Sequence, residues 1–148
     1  LKLITDVSAI EREILSCFRF QKNRAVLHSD PVLMPKRRAA WGSWNYVTGS
    51  EHDGGLCLTY WMNRLQSIDQ NYPLYETLNP HIEPDPSLIH DEFSYDHPVY
   101  NEQAILAQAR LPEIQGHGNL FFAGAWTGYG FHEDGIKSSL DMVRYIND

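Results

Sequence analysis

The stretch that most constrains this chain runs from Asn119 to Ser139, NLFFAGAWTGYGFHEDGIKSS. Leu120–Ala123 is an apolar run of the kind buried in a sheet. It ends in Gly124, Gly128 and Gly130, which free the backbone to turn. From Asp134 the period changes. Ile136, Leu140, Val143 and Ile146 recur at helical spacing, and Lys137, Asp141, Arg144 and Asp148 take the opposite face. The pattern predicts a strand, a glycine-rich loop and a helix. A helix N-terminus presents unpaired N–H groups and the positive end of the dipole, so such a loop suits an anionic or electron-rich ligand. In an anonymous strand–loop–helix the glycines need do no more than make a tight turn. What points to a ligand is the identity of the whole string.

The rest of the chain reads as one modest domain. At 148 residues it can bury about 68–70% of the surface its unfolded form exposes. Its 43% hydrophobic and 21% charged residues are globular values. A formal charge of −7 disfavours nonspecific attraction to nucleic acid or to an anionic membrane. The one basic cluster, Lys36–Arg37–Arg38, reads as a solvated turn rather than a phosphate site. No stretch approaches the roughly 20 apolar residues of a membrane span, and no signal peptide is visible. Cys17 and Cys57 lack CxxC spacing and suit free thiols in a reducing, cytoplasmic setting. His90, Asp91, Glu92 and His97 do not match a zinc spacing, so no metal site is expected. His28, in an apolar strand, reads as a structural histidine, and no serine or cysteine has a nucleophile elbow around it.

Ser8 and Glu11 have the form of a capping box, predicting a helix from about Ser8 to Cys17. Strands are expected at Phe18–Phe20 and Ala25–His28 with a turn at Lys22–Asn23. Further strands are expected at Trp41–Val47 and Leu56–Trp61, joined through Asp53–Gly54–Gly55. Met62–Ile68 reads as a short helix and Tyr75–Leu78 as a short strand. Leu88–Tyr95 reads as an edge strand, and Asn101–Ile114 as a helix ended by Pro112. An antiparallel meander is the simplest topology, and the fold class is α+β.

The terminal string resembles the C-terminal flavin-binding segment of the FAD-dependent amine oxidase and phytoene desaturase superfamily. It is most similar to the branch of predicted NAD/FAD-binding oxidoreductases found fused to plant cyclopropane fatty acid synthases. Phe121–Gly124 and Asp134–Ile136 carry the match. AVLHSD at 25–30, WGSWNY at 41–46, TYWMNRLQ at 59–66 and TLNP at 77–80 extend it over most of the chain.

The resemblance implies that residues 1–118 are part of a substrate-binding domain. Residues 119–148 would then be the last strand and helix of an FAD-binding domain, whose N-terminal Rossmann half is missing, since no G-x-G-x-x-G turn is present. It implies FAD as cofactor, with Gly124, Gly135 and Ile136 as backbone contacts and Trp126, Tyr129 and His132 as walls. Two departures stand out. Relatives often place an acid after FAG, where this chain has Ala125, so Glu133 or Asp134 would have to supply that contact. The lysine of an N-K-V pattern is replaced by Arg24, which cannot lose its proton.

The expected function is therefore that of the C-terminal part of a flavin oxidoreductase. It would act on an apolar or amine-like small molecule, suggested by Trp41, Trp44, Tyr46, Tyr60 and Trp61. No catalytic side chain is identified, and this piece alone is expected to be inactive. The alternative is a noncatalytic β-rich interaction module derived from a flavoprotein. A terminal strand without its parallel neighbours would expose an edge, so a homodimer is expected.

Overall fold

The computed structural model describes residues 4–47 and 56–147. The fold is α+β. Its five-stranded antiparallel sheet has the order β2-β3-β4-β1-β5, with β1 Arg19–His28, β2 Trp44–Val47, β3 Cys57–Trp61, β4 Tyr75–Leu78 and β5 Ile89–Val99. The helices are α1 Ala9–Leu15, α2 Met62–Leu65, α3 Glu102–Gln108 and α4 His132–Asn147. Two compact units emerge, one of residues 22–96 and one combining residues 1–21 with 97–148. The boundary expected at 118/119 falls inside the second of these, because Phe122 and Trp126 pack on the cluster that α1 and α3 help to build.

In the unit of residues 22–96, β2, β3 and β4 form the expected meander. Asn45 stands opposite Thr59, Thr59 opposite Thr77, and Thr77 opposite Val26. Strand side chains alternate between faces, so this register lines up one buried row across four strands. The polar groups of this row bond one another. Asn45 Nδ2 donates to the Thr59 carbonyl at 3.2 Å, the Thr59 and Thr77 hydroxyls lie 2.9 Å apart, and His28 Nε2 lies 2.8 Å from Thr77 Oγ1. Such partners are what let polar groups sit in a core without a large desolvation cost.

Three strand expectations are corrected. No turn forms at Lys22–Asn23, because β1 runs unbroken between β4 and β5 and its polar residues are simply a strand's exposed side chains. The exit of its neighbour β4 is clamped to β1 by Asn79, which has φ +49°. The Asn79 N–H donates to the Arg24 carbonyl at 2.8 Å, and Asn79 Oδ1 accepts from Arg24 N at 3.1 Å. Trp41–Ser43 is not strand, since the Asn45 side chain both accepts from Gly42 N and donates to the Gly42 carbonyl, curling the chain. β5 is the expected edge strand, four residues longer than Leu88–Tyr95 foretold at its far end, and it tolerates Pro98 because an edge leaves N–H groups unpaired. The Asp53–Gly54–Gly55 turn lies outside the described residues.

In the other unit, the capping box forms as read: Ser8 Oγ accepts from Glu11 N, and the Glu11 carboxylate accepts from Ser8 N at 2.8 Å. Ile14, Ala107, Leu111 and Ile114 make the core, with Phe18, Phe122 and Trp126 against it. α3 stops at Gln108, earlier than expected, and Pro112 instead opens a 3-10 turn over Leu111–Ile114. Both cysteines are free thiols. Among the described residues no helix is long and apolar enough to cross a membrane.

Candidate functional site

The glycine-rich junction lies wholly within the unit of residues 1–21 and 97–148. Its first expected element does not form: residues 120–123 join no strand. Leu120 bonds the backbone of Gly116 and His117, and at Phe122 a side chain takes the place of a neighbouring strand. Gln115 Oε1 accepts from Phe122 N at 2.8 Å and Gln115 Nε2 donates to the Phe122 carbonyl at 2.7 Å, one rung of a ladder made by an amide.

At Gly124 the chain turns with φ +139° and ψ +166°, a region essentially confined to glycine. A Cβ there would stand 2.8 Å from the Trp126 ring. The Gly124 N–H donates to Ser138 Oγ of α4 at 2.8 Å, and its carbonyl accepts from Thr127 N and Thr127 Oγ1. Ala125–Thr127 make a 3-10 turn that packs on α4, with Ala125 against Gly135. From α3, Gln108 Nε2 donates to the Trp126 and Gly128 carbonyls at 3.2 and 2.6 Å. Gln108, Gln115 and Ser138 therefore hold the loop, and sequence reasoning missed all three. Each is a polar residue on a partly apolar segment, which is a weak signal by itself.

The acidic residues divide. Asp134 Oδ2 accepts from Tyr129 N at 3.1 Å and Phe131 N at 3.0 Å, so this carboxylate is committed to the loop and is not free to take the contact that Ala125 lacks. Glu133 is exposed, 3.9 Å from Lys137, and remains available. The backbone donors are also redistributed. The Gly135 N–H donates to the Phe131 carbonyl at 3.2 Å, and Ile136 lies within α4, past the residues whose N–H groups a helix leaves unpaired. The helix-opening N–H groups without a described acceptor belong to His132 and Glu133 instead.

Of the expected walls, Trp126 is partly a core residue, stacked edge-on to Phe18 at 4.6 Å. It also lines two cavities. One, of about 330 Å³, is bounded by Phe20, Pro98, Tyr100, Trp126, Tyr129 and Gly130. The other, of about 570 Å³, lies among Leu15, Phe18, Phe20, Phe122 and Trp126. Phe20 and Trp126 are shared, so the two adjoin, and neither is lined by a carboxylate. Tyr129 is largely exposed and stands 6.4 Å from Tyr100, whereas His132 begins α4 in solvent and borders neither cavity. Gly130 has φ +88°, and a Cβ there would stand 2.7 Å from the Tyr100 hydroxyl. That hydroxyl is buried without a described partner, and burial, then the Asp134 charge, raise its pKa.

α4 contacts the loop through Asp134, Gly135 and Ser138, all half-buried. Its apolar stripe is bare: Ile136 is 58% exposed, Leu140 58%, Val143 48% and Ile146 57%.

The five aromatics expected to serve the substrate divide between faces. Trp44 and Tyr60 pair at 5.6 Å on one, with Tyr46 exposed nearby, while Trp41 and Trp61 meet at 5.2 Å on the other. Arg24 holds Glu83 and Glu92 at 2.7 and 2.6 Å, a surface ion-pair link. Compared with known proteins, the chain matches no protein-family model and no curated protein.

Proposed function

We propose that this chain is the C-terminal part of an FAD-dependent oxidoreductase, resembling amine oxidases and desaturases, that acts on an apolar small molecule. The observation that carries the reading is the junction itself. A glycine turn pinned by Ser138, Gln108 and Asp134 walls an aromatic cavity beside the opening of a helix. A flavin, when bound, supplies the electron-accepting ring. The residues present fit its edge in part. The His132 and Glu133 amides are donors fixed in advance, the kind that stabilise growing negative charge. Trp126 and Tyr129 offer aromatic walls, while the space beside the Gly124 and Gly130 Cα atoms is filled by the Trp126 ring and the Tyr100 hydroxyl. Gly135 contributes close packing against Ala125 instead of an amide donor, and Ile136 lies exposed on α4.

Cavities free of carboxylates favour the apolar substrate over the amine-like one, because a buried ammonium needs a counter-charge. The bare stripe of α4 suits a helix covered by a further layer, as a nucleotide-binding half of the same protein would provide. Free thiols suit a cytoplasmic setting. The second reading, a noncatalytic interaction module, draws support from the internal satisfaction of Asp134 and Gly135. Expression together with any coding sequence preceding Leu1 separates the two. A yellow protein bleached by an oxidisable substrate is expected. A colourless product that takes up no added FAD favours the module.

A further inference from the structure

The basic cluster that reads as a solvated turn has a different setting in the fold. Arg38 stands over the Trp41 ring at 4.4 Å and the Trp61 ring at 5.4 Å. Trp41 is itself fixed, its Nε1 donating to the Pro35 carbonyl at 2.8 Å, and it meets Trp61 and Tyr75 edge-on at 5.2 and 6.0 Å. Together with Gln70 these residues line a cavity of about 250 Å³ within the unit of residues 22–96.

Charge is unmatched there. Arg24 and Arg110 each hold two carboxylates, yet among the described residues no carboxylate pairs with Arg38, Arg37 or Lys36. Arg38 makes one long contact, Nη2 donating to Gln70 Oε1 at 3.5 Å. Asp30, on the adjacent turn, is spent on the N–H groups of Val32 and Asp85. A guanidinium held over an indole uses its face for the cation–π contact and keeps its edge N–H groups as a fork for two oxygens.

We propose that this cavity binds a small carboxylate with a planar apolar body. Its two oxygens take the Arg38 fork and the Gln70 amide, and its body lies against Trp41, Trp61 and Tyr75. A carboxylate fits better than a phosphate because the polar side chains of Ser29 and Asn63 in the lining are already committed. Ser29 Oγ donates to the Pro73 carbonyl and meets His90 Nε2. Asn63 Nδ2 serves the Asp69 and Tyr72 carbonyls, and its Oδ1 accepts from Leu74 N. One cation and one amide among aromatic walls match a monoanion. This site is independent of the flavin reading.

The test is tryptophan fluorescence of the whole chain titrated with benzoate, benzamide and inorganic phosphate. Benzoate should give a saturable change and bind at least about tenfold more tightly than the other two, as a charge-assisted fork requires. Arg38→Gln should weaken benzoate at least about tenfold, Arg38→Lys should also weaken it because the fork is lost, and Arg37→Gln should not. Far-UV circular dichroism checks that the variants fold, and the wild-type ligand comparison stands even where a variant does not. Equal binding of benzamide or phosphate, an unchanged affinity in folded Arg38→Gln, or no saturable response to benzoate would overturn the proposal.

Discussion

Gly124 and His28 show how single residues set the limits of this fold. Gly124 combines a glycine-only conformation with a Trp126 ring where a Cβ would stand. Gly124→Ala is expected to destabilise the unit carrying the loop by about 1–3 kcal/mol, read from urea unfolding followed by tryptophan fluorescence. An unchanged midpoint would show that the turn is not held as described. His28 is fully buried, and burial is the main cause of its lowered pKa, with the neighbouring Asp30 opposing. The unfolded chain therefore binds a proton near pH 6.5 that the folded chain refuses. Stability from this group is complete above about pH 6.5 and is lost as pH falls through the depressed folded value. Unfolding measured from pH 7.5 downward should show that loss, and His28→Gln should flatten it. A wild-type profile with no loss below pH 6.5, or a folded variant that keeps the full slope, would contradict the assignment.

Among the elements, α4 matters most. It turns Gly135 and Ser138 toward the loop and leaves Ile136, Leu140, Val143 and Ile146 bare. Leu140→Glu should change stability by no more than about 0.5 kcal/mol, since the side chain has no packing to lose. It should also abolish the concentration-dependent self-association expected of an uncovered apolar stripe. Light scattering that finds the unmodified chain monomeric at every concentration would count against that. Periodicity made this helix legible, as it did α1 with its capping box and β4, whose bounds match the expected Tyr75–Leu78. It failed where side chains replace backbone. Leu120–Ala123 has strand composition, but its partner is the Gln115 amide, and nothing in local pattern announces a residue that imitates a neighbouring strand. Lys22–Asn23 misled for the opposite reason: polar residues signal a turn locally, while pairing by β1's neighbours overrides them.

For the whole molecule, the division into residues 22–96 and residues 1–21 with 97–148 separates two kinds of chemistry. The first holds a hydrogen-bonded polar row, with an unmatched arginine at the end of its aromatic face. The second holds the glycine junction and two adjoining cavities without carboxylates. The candidate site was legible as a string, Gly124 through Ile136, but the roles within it were not. Which amides a helix start leaves free depends on where the helix begins, and α4 begins at His132 rather than Asp134. That shift moves the available donors to His132 and Glu133 and commits Asp134 to the turn. The most direct measurement is a map of backbone amide shifts as riboflavin, which carries the ring without the nucleotide, is added to the ¹⁵N-labelled chain. The account predicts shifts gathered on Trp126, Tyr129, His132 and Glu133. Shifts that avoid these four, or that gather on Trp44 and Tyr60, would contradict it.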